Sequence, residues 1–176
     1  RELFPFPPDE TIDDDVAVPL GIIRRGKRVI FERLAIARGD ILWAPERFLR
    51  QKIRGQAGKY QIFRLFWDMF FPWPLRRWWV FTSHSVLPVI APWFLALALV
   101  TNVLLWFSGE WLYRGLLLAQ VAFYLLAILG YLAEKARVYL PFAAIPFYFV
   151  TANVGSICGF FAYLTGVQRA AWRKLE

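Results

Sequence analysis

Val86–Phe107 reads VLPVIAPWFLALALVTNVLLWF and contains no charged side chain. A run of this kind has the roughly 20 apolar residues that an α-helix needs to cross the hydrocarbon core of a bilayer. Two more uncharged stretches follow, Gly115–Ala133 and Val138–Gln168. The second has the length of one span. The third is longer than a span requires and is interrupted by Pro141, Pro146, Gly155 and Gly159. It reads as an interfacial piece followed by a span, or as one long broken helix. Residues 83–176 are therefore expected to form an α-helical transmembrane region with segments at 86–107, 115–133 and 138–168. Asn102, Gln120 and Asn153 are polar within these segments and are expected to hydrogen-bond between helices. A small transporter needs ionisable groups inside its spans, and the three stretches have none.

The composition points the same way. The chain has 176 residues, 59% of them hydrophobic and 19% aromatic, and its mean hydropathy is +0.43. A soluble domain of this length is rarely so apolar. The excess lies in residues 60–176, whereas residues 1–59 are charged and ordinary. The net charge of +8 comes from cations beside apolar segments, which favours membrane lipid over nucleic acid as the partner. Cys158 is the only cysteine, so an internal disulfide framework is excluded, and no metal site is expected on it.

Residues 60–82 form the border. Tyr60–Phe71 (YQIFRLFWDMFF) places Gln61, Arg64 and Asp68 on one narrow stripe, the pattern of a helix lying in the membrane interface. Pro72-Trp73-Pro74 breaks it. Arg76-Arg77-Trp78-Trp79 then supplies cations and indoles at headgroup level. His84, the sole histidine, reads as an interfacial polar residue. Trp73, Trp78 and Trp79 read as an aromatic belt before they read as a sugar platform.

The first 59 residues hold the candidate chemistry. Residues 1–9 (RELFPFPPD) form an extended, proline-rich loop. Asp13-Asp14-Asp15 stand where a helix begins, since acids favour the first turn, and the pattern runs to Arg25 before Gly26 stops it. Pro19 kinks or weakens that helix. Lys27–Arg38 (KRVIFERLAIAR) has the β-branched and aromatic density of a strand, and Gly39-Asp40 form a turn. Pro45 is well placed to open a helix over roughly 45–59. There Gln51, Arg54, Gly55 and Gly58 share one face, which lets a bulky anion approach the backbone closely. An acid turn followed by such a helix suits inverting sugar transfer: a carboxylate deprotonates the acceptor hydroxyl while cations hold the departing diphosphate. The bland alternative is an acidic helix cap and a solvated basic helix.

Several segments resemble membrane-bound family 2 glycosyltransferases, the group of cellulose, hyaluronan and poly-N-acetylglucosamine synthases. Thr11–Ala37 (TIDDDVAVPLGIIRRGKRVIFERLAIA) looks like the segment carrying the family's acidic base motif and the strand after it. Gln51–Gly58 (QKIRGQAG) resembles its Gln-x-x-Arg-Trp motif, and Thr82–Leu87 (TSHSVL) resembles the stretch entering the first C-terminal span. The likeness covers nearly the whole chain. It implies an α/β fold, part of a GT-A nucleotide-sugar transferase domain, over residues 1–59, ahead of the membrane helices. It further implies Asp15 as catalytic base with Asp14 before it, and Gln51, Arg54, Gly55 and Gly58 as the substrate and diphosphate face. Gly55 stands where processive members carry a tryptophan, and Lys27 replaces the usual aromatic after Gly26.

In that family the donor pocket and the Asp-x-Asp site for Mg²⁺ or Mn²⁺ lie upstream of the base motif. The resemblance therefore implies a chain that holds the acceptor half, inactive by itself, with its divalent cation bound by a part not present here. Its partners would be a nucleotide-sugar donor, a glycan or lipid-linked acceptor, and the missing N-terminal half or an export partner. The expected location is a bacterial inner membrane, with residues 1–80 cytoplasmic. The other reading is a non-catalytic membrane anchor or export subunit of a polysaccharide assembly system. One conflict stays open: three spans would put the tail Arg169–Glu176 outside, although Arg169, Arg173 and Lys174 favour the cytoplasmic side, as Glu134, Lys135 and Arg137 do in their turn.

Overall fold

The structure, a computed structural model, describes residues 4–37, 44–70 and 75–167. The predicted turn at Gly39-Asp40, the Pro72–Pro74 break and the tail from Gln168, with Arg169, Trp172, Arg173 and Lys174, lie outside the described residues, as do the side chains of Arg76, Arg77 and His84.

Among the described residues six α-helices make the framework: α1 Asp14–Arg24, α2 Pro45–Leu65, α3 Leu75–Phe81, α4 Leu87–Leu105, α5 Trp111–Lys135 and α6 Pro141–Leu164. Among the described residues there is no strand, so the expected α/β part is corrected to an all-helical one. Lys27–Ala37, the described part of the predicted strand, is irregular. The reason is local. Glu32 accepts from the Leu34 amide through its side chain (3.0 Å) and from the Ala35 amide through its carbonyl (3.3 Å). A turn thereby occupies the middle of the run. The β-formers on either side have no ladder to join, and Ile30 and Phe31 are 82% and 89% exposed.

Helix signals elsewhere act as their chemistry requires. Pro45, Pro88 and Pro141 stand at the first turns of α2, α4 and α6, where a missing N–H costs nothing. Pro88 also follows a widened, π-helical turn at Thr82–Val86 that joins α3 to α4. Gly26, at φ +73°, follows α1, and Gly109, at φ +84°, turns the chain between α4 and α5. Pro19 is accommodated inside α1. The basic helix does not stop near residue 59: α2 continues unbroken to Leu65, and a short 3₁₀ turn, Trp67–Phe70, follows it.

Three helical stretches, Leu87–Ser108, Trp111–Lys135 and Pro141–Leu164, are long and apolar enough to cross a membrane. α4 and α5 form an antiparallel hairpin in which the Asn102 amide donates to Gln120 Oε1 at 3.0 Å. The predicted interruptions of the third stretch do not break it. Pro146 lies inside α6, and Gly155 and Gly159 are points of close approach to α2. A Cβ on Gly159 would lie 2.6 Å from Gln56 Cβ and 2.9 Å from the Ile53 carbonyl, and one on Gly155 would lie 2.8 Å from Lys52 Cβ. Small residues four apart let two helix backbones meet.

On its other side α2 meets α1. Ala17 packs with Ile62, Phe66 and Met69, flanked by Val16, Leu20, Ile23 and Leu65. Ile62 and Met69 are fully buried, each contributing about 1.5–3 kcal/mol relative to exposure. Arg24 Nε pairs with Asp68 Oδ2 at 2.9 Å, tying the end of α1 to the 3₁₀ turn. α2 is thus held between α1 and α6, and this fixes what its charged face can reach.

Candidate functional site

The acid turn reaches α2 because two groups hold the chain entering α1. Gln61 uses both ends of its amide: Nε2 donates to the Glu10 carbonyl at 2.9 Å, and Oε1 accepts from the Ile12 amide at 2.8 Å. This clamp lays residues 10–12 along α2. Gly58 supplies the space, since a Cβ there would stand 2.8 Å from Asp13 Cβ and 3.3 Å from Ile12 Cγ2. Any larger residue would push the acid turn off the helix.

Asp13 is the N-cap residue of α1. Its carbonyl accepts from Val16 at 3.3 Å and Ala17 at 3.0 Å, but its carboxylate makes no side-chain capping bond. The side chain is half-buried against α2 instead. Burial raises its pKa above the ordinary aspartate value; Asp15 and Asp14 add to the rise, while Lys59 and Arg54 offset part of it. The Lys59 ammonium is pushed down by its own burial, against the opposing pull of Asp13 and with Lys52 adding to the fall. A carboxylate and two cations therefore interact across the α1–α2 contact.

The predicted residues separate into two groups. Asp14 and Asp15 are exposed in the first turn of α1. Arg54 and Gly58 lie on the α2 face that meets the acid turn, and both Asp13 and Arg54 belong to one electrostatic cluster. Gln51 is exposed, one turn before Arg54. Gly55 opens onto free space, since a Cβ there would meet nothing within 4 Å. The surface beside Arg54 is consequently shallow where a tryptophan would have built a wall.

Three contributors were not singled out by sequence. Asp13 is the acid that turns inward, Lys59 is the second cation, and Gln61 is the clamp. Gln61 was visible only as part of a polar stripe with Arg64 and Asp68, of which Gln61 and Asp68 are now bonded within the protein and Arg64 is exposed. A cavity of about 390 Å³ lies elsewhere, between Pro5–Pro8 and the Gly21, Arg24 and Arg25 side of α1, and none of the predicted site residues lines it. The described residues contain no group of three or more His, Cys, Asp or Glu side chains able to hold a metal ion. Comparison with family models, with curated proteins and with solved structures finds no match in any of the three.

Proposed function

We propose that this chain carries the acceptor side of an inverting glycosyltransferase working at a membrane face, with Asp13 as its base. The observation that supports the reading is the half-buried Asp13 seated against Gly58 beside Arg54 and Lys59, its carboxylate left out of helix capping. A carboxyl raised above the usual range is a stronger base near neutral pH than an exposed one. In the step envisaged, the acceptor hydroxyl attacks the anomeric carbon of a nucleotide-sugar and gives its proton to the Asp13 carboxylate. The bond from that carbon to the diphosphate oxygen breaks. The negative charge that develops there is met by Arg54 and Lys59.

Asp14 and Asp15 keep the local field negative and so maintain the basicity of Asp13. Gln51 and the open surface at Gly55 border the acceptor, a glycan or a lipid-linked sugar. The nucleotide-sugar and its Mg²⁺ or Mn²⁺ would be held by another part of the enzyme. The test uses membranes containing the protein in its natural context, supplied with labelled UDP-sugars and either cation. Asp13→Asn is expected to lower transfer by about two to four orders of magnitude, and Asp15→Asn by no more than about tenfold. Unchanged transfer in Asp13→Asn would leave the acid turn as packing and favour the membrane-anchor reading.

A further inference from the structure

The directions of the helices carry an inference about the membrane itself. α2 and α6 run parallel along their length. Phe48 stacks edge-on against Tyr148 at 5.1 Å, Lys52 lies at Gly155, Gln56 at Gly159, and Tyr60 faces Phe160 and Tyr163 at 5.2 and 5.9 Å. Whatever depth α6 takes, α2 must take too. Yet α2 carries Arg47, Arg50, Lys52, Arg54, Lys59 and Arg64 against the single acid Glu46. Such a helix belongs in the headgroup layer and not in hydrocarbon.

The contacts of α6 with the α4–α5 hairpin agree. Near its start, α6 presses Ala143 and Phe147 against Gly130, and Tyr148 donates to Glu134 at 3.1 Å. Were α6 to continue antiparallel to α5, Phe160 would come level with Tyr113, near the far turn of the hairpin. Instead Phe160 and Phe161 lie against Trp93, at 5.5 and 6.3 Å. Counted back residue for residue from the Asn102–Gln120 pair, Trp93 comes level with Leu129, toward the base of the hairpin. Phe149 still packs against α5 at Phe123, at 5.6 Å, so α6 climbs about two turns of α5 and then slants across α4 and α5 toward Trp93 instead of following α5 to the far turn. It is also the most covered of the three apolar helices, with 28% of its apolar window buried against 17% and 11%. Its open side shows Phe142, Ile145 and Leu164.

We propose that α6 does not cross the bilayer. With α2 it forms a platform whose cations meet anionic headgroups and whose apolar stripe enters the acyl boundary. The chain crosses twice, through α4 and α5. The end of α6 then emerges on the same side as residues 4–65, the side the tail cations Arg169, Arg173 and Lys174 favour. This inference is independent of any sugar-transfer activity.

The experiment places single cysteines at Glu32, Ser108 and Thr165, all exposed, in a Cys158→Ala background of the full chain in sealed, oriented vesicles. A membrane-impermeant maleimide is expected to label Glu32→Cys and Thr165→Cys from one side and Ser108→Cys from the other. Labelling of Thr165→Cys from the Ser108 side would overturn the proposal. A second readout covers a variant that fails to assemble: a fluorophore on Val154→Cys, near the middle of α6, should be quenched most by spin labels near the headgroups. Strongest quenching by labels near the bilayer centre would equally overturn it.

Discussion

The two helix pairs of this molecule are built on opposite principles. Between α2 and α6, Gly155 and Gly159 of α6 bring the backbones together, and a side chain added at either one meets α2. Between α4 and α5, the Asn102–Gln120 bond joins helices whose long apolar side chains, Leu97, Leu104, Leu118 and Leu125 among them, face outward. In water the second pair would be the defect of the design. In lipid it is the first that needs explaining, because a basic helix clamped to an apolar one is stable only where both environments meet. Close packing specifies the base of the molecule, and the bilayer itself stands in for packing in the hairpin.

The largest effect should come from filling the close approaches. Gly159→Leu must displace Gln56 or the Ile53 carbonyl and is expected to cost about 3 kcal/mol or more, at the upper end of overpacking penalties. Gly130→Ala, aimed at the Ala143 carbonyl, should cost about 1–3 kcal/mol. Gly115→Ala on the lipid-facing part of α5, where a Cβ meets nothing within 4 Å, should instead stabilise by about 0.5–1 kcal/mol. Equilibrium unfolding in mixed micelles measures all three, and similar losses in all three would erase the contrast between the pairs.

Next in size is Gln61→Ala. It leaves the Ile12 amide and the Glu10 carbonyl without their partner and should cost about 1–3 kcal/mol, read by unfolding together with faster proteolysis of residues 4–13. A smaller, pH-dependent effect follows from Asp13. Its pKa is raised in the folded protein, so between the ordinary aspartate value and the raised one the native state holds more protons than the unfolded chain. Stability therefore falls as pH rises through that window. Asp13→Asn should flatten this slope in a melting-temperature series at acid pH. Smallest should be Asn102→Leu, for which loss of one bond between membrane helices costs about 0.6 kcal/mol.

What could be read beforehand followed the same division. The apolar runs declare α4, α5 and α6 because lipid exposure writes itself directly into composition, and Pro45 declares the start of α2 by its own geometry. The strand over Lys27–Arg38 failed because Val29, Ile30 and Phe31 state only a preference, which needs partners to be expressed, while Glu32 closes a turn in their midst. Gly155 and Gly159 looked like breaks in a helix. Their purpose depends on which backbone arrives opposite them, and that is decided a hundred residues away. For the same reason the acid turn was legible but the choice of Asp13 within it was not. It is set by a missing Cβ at Gly58.

The parallel course of α2 and α6 has an electrical consequence. Side by side in one direction, their peptide dipoles add instead of cancelling, so the positive ends of both helices gather where Pro45 and Pro141 begin them. Glu46 stands in the first turn of α2, accepting from Tyr131 at 3.3 Å, and Glu134, held by Tyr148, comes to the same corner; Arg64 occupies the last turn of α2 at the opposite end. Carboxylates at the positive pole and a guanidinium at the negative one make the seam directional. Reversing α2 would carry Glu46 away from Tyr131, and reversing α6 would carry Tyr148 away from Glu134, so the platform is built for one sense of assembly.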